Sequence, residues 1–257
     1  MFTPFEDLDA LLADLIGSVR EILGGTFVGA YLQGSFALGA ADLLSDCDFI
    51  IATTVLPTGV AEAQLRRLHD EIPTRPGHWP KDLEGSYADT TSLRSSAGLG
   101  MPWLFSNHGS RDLVWDTHCN TLHTRWILHH HGITLAGPPI ADLVDAVDPE
   151  AMRESTRAAL PEVMTGLRTW ARFEMAWTQR YTVTEYCRVL YTLQTGQVAS
   201  KRGALEWAGE HLDPRWRPLL TQVTEDRVLG WVPAEPPRPG SLKATYAFAA
   251  YAESFAR

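Results

Sequence analysis

Residues 31–53 read YLQGSFALGAADLLSDCDFIIAT. Two apolar runs flank a loop of small residues. The first run ends in Gly34-Ser35, and the second begins just after Asp46 and Asp48. Side chains two apart on a strand point to the same face, so Asp46 and Asp48 share one. Two carboxylates held side by side repel unless a cation lies between them. A hard divalent cation such as Mg²⁺, held by carboxylates and substrate phosphates, meets that need. Gly34 lets a phosphate approach the backbone closely, and the Ser35 hydroxyl can donate to it. A helix opening there would turn its N-terminus toward the same anion. The stretch therefore predicts a triphosphate-plus-metal site between two adjacent strands. A Ser-Asp-x-Asp turn with capping aspartates is common by itself. The full order of strand, Gly-Ser, loop, Asp-x-Asp and apolar strand is much less so. Asp42, inside the loop, reads as a solvated loop acid.

Outward from this stretch, Phe5 to Leu23 has apolar residues at helical spacing, stopped by Gly24-Gly25. TFVGAYLQ (26–33) and DFIIAT (48–53) read as strands, the second buried on both faces. Val60–Ile72 reads as a helix, 73–81 as a proline-rich loop, and DLEGSYAD (82–89) as a short strand. Residues 95–110 read as irregular loop, Asp112–His131 as mostly helix, and ITLAG (133–137) as a last strand. Beyond GPPIADLVDAVDP (137–149) the pattern is helical: near 150–173, 182–195, 201–211, 214–228 and 240–256. The expected architecture is an α+β domain over 1–148, a small mixed sheet with flanking helices, followed by an all-α bundle over 149–257.

The chain has 257 residues, 45% hydrophobic and 21% charged, with net charge −9. That is enough for a sizeable core and argues against disorder. The acidic balance disfavours sequence-independent nucleic-acid binding, which needs Lys and Arg against phosphates, and suits a cationic ligand. Three scattered cysteines, Cys47, Cys119 and Cys187, imply reduced thiols and a cytoplasmic protein. The first residues carry acids and no basic segment, so no secretory signal is expected. No apolar run approaches the roughly 20 residues of a membrane span. A monomer is expected.

Several aromatic and histidine groups carry weaker signals. Trp170, Glu174 and Trp177 fall at i, i+4 and i+7, one face of the expected helix. A carboxylate between indoles suits an ammonium or guanidinium group, although a packing face with a peripheral Glu explains the same spacing. Consecutive histidines 129–131 point about 100° apart on a helix, so a shared metal is disfavoured, and histidines near a helix C-terminus suit its dipole. His118 and His123 read the same way. Trp103, Trp115 and Trp126 read as core or cleft lining.

QGSFALGAADLLSDCDFIIAT resembles the nucleotidyltransferases of the polymerase-β type, whose motif is a strand, Gly-Ser, a short loop and Asp-x-Asp opening a second strand. That family adds a third carboxylate from a later strand. Asp82 and Glu84 share a face of the 82–89 strand, and Asp89 is a further rival. The Leu-Glu-Gly-Ser-Tyr context resembles the bacterial antibiotic adenylyltransferases and favours Glu84. EYCRVLYTLQTGQVASKRGALEWA (185–208) is similar to the C-terminal domain of the aminoglycoside (3'')(9) adenylyltransferases, as LAGPPIADLVDAV (135–147) is to their interdomain segment. Residues 90–120 match the group poorly.

The resemblance implies transfer of AMP from ATP to a hydroxyl of a small cationic acceptor, an aminoglycoside or aminocyclitol antibiotic, with release of pyrophosphate. It implies two Mg²⁺ ions held by Asp46 and Asp48, with Glu84 as a metal ligand, the general base for the acceptor hydroxyl, or both. Gly34 and Ser35 would hold the terminal phosphates, and Lys201 and Arg188 would reach the triphosphate. A solvated first-turn lysine and a helix-surface ion pair are the plainer accounts of those two cations. Glu174 falls near the acidic position of the group's acceptor site. Two other expectations stand beside this one: the same chemistry on a secondary metabolite, nucleoside or protein, and a non-catalytic nucleotide-binding protein that keeps the fold.

Overall fold

A computed structural model describes residues 1–232 and 234–256. The chain divides into two compact units, Met1–Val147 and Asp148–Arg257.

The first unit is built on a six-stranded sheet: β1 (Phe27–Leu32), β2 (Cys47–Thr53), β3 (Leu83–Asp89), β4 (Trp103–Ser106), β5 (Leu113–Asp116) and β6 (Ile133–Ala136). Its order is β5-β4-β3-β2-β1-β6. Only β2 and β3 run parallel; the other pairs are antiparallel. The apolar run of β2 is buried on both faces, as its sequence predicts. Cys47, Phe49 and Ile51 join the core formed with α1 (Glu6–Leu23) and α3 (Gly59–Glu71). Ile50 and Ala52 join a second core with Ala88, Leu93, Trp103 and Leu128. That second face is covered by α4 (Thr90–Arg94) and α5 (Leu122–His131). A one-turn helix, α2 (Gly34–Ala37), follows β1 directly.

Two expectations for this unit are corrected. Residues 103–106 are not loop but the fully buried strand β4, and 113–116 are not helix but β5, on which only Leu113 is buried. The helix begins at Leu122, where the Thr121 side chain accepts from the Thr124 N–H at 3.0 Å. Asn120 ties the preceding turn down, its amide donating to the carbonyls of Gly98 (2.8 Å) and Met101 (2.7 Å).

The second unit is helical: α6 (Pro149–Ala159), α7 (Val163–Arg168), α8 (Ala176–Thr195), α9 (Lys201–His211), α10 (Arg217–Asp226) and α11 (Ser241–Glu253). Buried Val183, Tyr186, Cys187 and Leu190 make α8 the central helix of its core. The long helix expected over 150–173 is broken. Pro161 has no N–H and its ring clashes with the preceding turn, so α6 passes through a 3₁₀ turn into the short α7. Residues 169–175 are a turn, which removes Trp170 and Glu174 from the helical face they were expected to share with Trp177. No described helix is long and apolar enough to cross a membrane.

Candidate active site

The register of the parallel pair organises the carboxylates. Asp48 on β2 stands opposite Glu84 on β3, and Cys47 opposite Leu83. The Cys47 N–H donates to the Asp82 carbonyl at 2.7 Å. Asp46, Asp48, Asp82 and Glu84 therefore share the sheet face that, further along the same strands, carries Ile50, Ala52 and Ala88. One end of this face is a core and the other is acidic. Of the three rivals for the third carboxylate, Asp89 lies at the far end of β3. There its carboxylate caps α4, accepting from the N–H groups of Thr91 (3.1 Å) and Ser92 (2.9 Å). Asp82 and Glu84 both reach the acidic end. Asp42 stays in the loop, accepting from the Leu44 N–H (2.9 Å) and the Ser45 hydroxyl (3.2 Å).

Gly34 closes the site on the β1 side. The Gln33 N–H donates to the Asp48 carbonyl at 2.9 Å, drawing the end of β1 against β2. Gly34 has φ +59, and a β-carbon there would overlap the Asp48 carboxylate. The next side-chain oxygen, Ser35 Oγ, is buried and has no hydrogen-bond partner. A buried hydroxyl without a partner is costly, and a phosphate oxygen would satisfy it. Carboxylates on one face with a hydroxyl and a close backbone beside them fit a hard divalent cation carrying a phosphate.

Two histidines, neither assigned to the site from sequence, meet the carboxylates. His118 Nε2 lies 3.3 Å from Glu84 Oε1. That hydrogen bond raises the His118 pKa above its ordinary value, against the opposing effect of burial. The imidazole also packs on Phe105, with ring centroids 5.0 Å apart. His108, from the turn between β4 and β5, donates its backbone N–H to Glu84 Oε2 at 3.4 Å. Glu84 is thus held from both sides while its side chain is only 14% exposed. Both histidines come from the hairpin and turn that were read as loop and helix, so no strand register was on hand to bring them to Glu84. His129 bonds the Val144 carbonyl at 2.7 Å, and His130 and His131 pack on Trp126.

The remaining candidates lie in the helical unit. Gly196 ends α8 with φ +72, a left-handed position that glycine takes without a Cβ penalty. The Ser200 hydroxyl then caps α9, accepting from the Gly203 N–H at 3.0 Å. The Thr-Gly turn and the Lys-opened helix of the 185–208 stretch are this geometry. Lys201 occupies the first helical position, where a cation opposes the helix dipole. Its ammonium lies 5.8 Å from the Tyr181 ring and 5.9 Å from the Trp231 ring. Arg188 pairs with Glu185 at 3.0 Å along α8, both side chains partly buried. The indoles of Trp170 and Trp177 stack at 6.1 Å across the 169–175 turn, and Trp231 lies 4.8 Å from Trp177. Trp231 had no signal in the sequence beyond its type, since it sits in a proline-rich break. Glu174 is exposed on the turn.

Residues 142–235 match the family described as aminoglycoside adenylyltransferase, C-terminal domain. The chain is 24% identical over 243 residues to the aminoglycoside (3'')(9) adenylyltransferase of Shigella flexneri, covering 85% of each. It is 21% identical over 212 residues to the spectinomycin 9-adenylyltransferase of Staphylococcus aureus (strain Mu50), covering 74% of each. Its fold matches the crystal structure of spectinomycin adenyltransferase AAD(9) from Enterococcus faecialis with ATP and spectinomycin. The TM-score is 0.69 at 11% identity, over 95% of this chain and 97% of that one.

Fold and relatives together define an enzyme of the nucleotidyltransferase class. More narrowly, the chain resembles the aminoglycoside (3'')(9) adenylyltransferases through both of its units, and residues 142–235 match the family of their C-terminal domain.

Proposed function

We propose that the protein transfers AMP from ATP to a hydroxyl of a small cationic antibiotic of the aminoglycoside or aminocyclitol class, with Mg²⁺ and release of pyrophosphate. The observation that carries this reading is the acidic end of the β2–β3 pair, with Asp48 opposite Glu84 and Gly34 closed over Asp48. Asp46, Asp48 and Glu84 would hold Mg²⁺, which when bound neutralises charge on the triphosphate. Phosphoryl chemistry depends mostly on positioning and charge. Ser35 Oγ, buried without a partner, donates to a phosphate oxygen. The Gly34 backbone permits that oxygen to approach. Glu84 accepts the proton of the acceptor hydroxyl as its oxygen attacks the α-phosphorus, and the bond to pyrophosphate breaks. The contacts from His118 and the His108 N–H orient the Glu84 carboxylate for that transfer. Lys201 and Arg188 are proposed nucleotide contacts on the resemblance. Trp170, Trp177 and Glu174 are proposed acceptor contacts, the paired indoles offering faces to a cation.

Incubation of the purified protein with ATP, Mg²⁺ and streptomycin or spectinomycin tests this, read as pyrophosphate release and an AMP-bearing product by mass spectrometry. Absence of product with every aminocyclitol would overturn the acceptor. Unchanged transfer by Asp48→Asn would overturn the site. A second reading, the same chemistry on another acceptor, is favoured by one observation: Glu174 stands on an exposed turn and not between indoles. Labelled ATP with a cell extract would reveal that acceptor.

A further inference from the structure

The acidic end of the sheet holds more ligands than the resemblance supplies. Asp82 lies beside Asp46 where the β2–β3 ladder begins, next to the bond from the Cys47 N–H to the Asp82 carbonyl. His108 reaches the same place from the β4–β5 turn, held there by its backbone bond to Glu84 Oε2. Asp46, Asp82 and His108 each offer one ligand atom, all within 4.8 Å of one another, the one such trio among the described residues. His108 Nδ1 stands 4.0 Å from Asp46 Oδ1.

Bonds of about 2.1 Å place two ligands on opposite sides of one ion about 4.2 Å apart. Small side-chain rotations therefore gather all three atoms on a single ion. His108 is half exposed and free to make that rotation. Asp82 also faces His78, whose Nδ1 lies 3.6 Å from its Oδ2.

We propose that Asp46, Asp82 and His108 form a mixed nitrogen–oxygen site for a first-row transition-metal divalent cation, for which Mn²⁺ is the paramagnetic probe, sharing Asp46 with the carboxylates opposite the phosphate cradle. Imidazole is a ligand of first-row transition ions, whereas Mg²⁺ takes oxygen. The site therefore binds Mn²⁺ more tightly than Mg²⁺, and His108 supplies the difference. The inference rests on the reading of this acidic face as metal-binding.

Titration of the nucleotide-free protein with Mn²⁺, followed by electron paramagnetic resonance, measures affinity without reference to activity. Pulsed measurements on the bound ion then detect an imidazole nitrogen through its ¹⁴N modulation. The expected result is modulation in the native protein, its loss in His108→Gln with Mn²⁺ affinity down about tenfold or more, and its retention in His118→Gln. Bound Mn²⁺ without nitrogen modulation, or modulation that survives His108→Gln, would overturn the His108 assignment and leave the carboxylate reading standing. No Mn²⁺ binding to the nucleotide-free protein would overturn the proposed site; Mn²⁺ binding that appears only with ATP would leave the carboxylate reading standing, and none even with ATP would overturn both. Thermal melts of both variants confirm that each is folded.

Discussion

Gly34 and Asp48 are packed so closely that no β-carbon fits between them: one built on Gly34 overlaps the Asp48 carboxylate. The glycine is also held at φ +59, where an L side chain costs roughly 1–2 kcal/mol. Gly34→Ala is therefore expected to do two separable things. It lowers stability by about that amount, read as a shift in the denaturant midpoint. It also displaces the Asp48 carboxylate, with AMP transfer falling about a hundredfold or more. A variant with normal transfer would mean that the carboxylate does not need its observed position.

Two of the rival carboxylates, Glu84 and Asp89 on β3, give contrasting expectations. Glu84→Gln keeps the shape and removes the proposed base, so kcat is expected to fall by about 10²–10⁴ with stability little changed. Asp89→Ala removes a helix cap at the other end of the strand. It is expected to cost about 1 kcal/mol of stability and leave transfer intact once the protein is folded. Steady-state kinetics and urea melts on the two variants separate the roles. A collapse of activity in folded Asp89→Ala would contradict the assignment of Asp89 as a cap.

The Gly-Ser and Asp-x-Asp elements were legible because backbone chemistry and side-chain alternation are local properties. Which carboxylate faces Asp48 was not, because Asp82 and Glu84 both lie on the right face and only the parallel register shows that Glu84 is opposite. The hairpin was hidden for another reason. β4 and β5 have four residues each, and β5 is an edge strand with one buried side chain, too short for any period to show. His108 and His118 were lost with it. In the helical unit, Thr195-Gly196 and Ser200-Lys201 were readable as a stop and a start. The break at Pro161 was overlooked, and so was the 169–175 turn that took Glu174 off its supposed helical face.

His69 predicts a pH dependence of stability. It is buried beneath the sheet, with Nε2 2.8 Å from the Tyr87 hydroxyl. Burial lowers its pKa from 6.5 to about 4. Between those values the unfolded chain takes up a proton that the folded protein does not, so stability rises with pH. The contribution is complete above about pH 6.5 and declines by about 1.4 kcal/mol per unit as pH falls toward 4. Urea melts at several pH values should show this slope, and His69→Gln, which can still bond Tyr87, should flatten it. An equal slope in the variant would assign the pH dependence to other groups.

Arg180 holds the segment that follows α10. Its guanidinium pairs with Glu235 at 2.8 Å and donates to the Gly230 carbonyl at 2.8 Å, with the two side chains only 10% and 19% exposed. Trp231, adjacent to Gly230, is thereby set against Trp177 and Tyr181. Removing one member of a buried pair leaves the other charge uncompensated, at about 3–5 kcal/mol for full burial; the partial exposure here reduces that to roughly 2 kcal/mol. Arg180→Met is expected to lose about this much in a denaturant melt. Neutralising the stranded carboxylate in Arg180→Met/Glu235→Gln should recover part of it, since the cost lies in the unpaired charge more than in the lost attraction. Trp231 fluorescence should shift toward that of a solvated indole in the single variant. If the double variant is no more stable than the single one, the loss belongs to the bond with Gly230 and not to the ion pair.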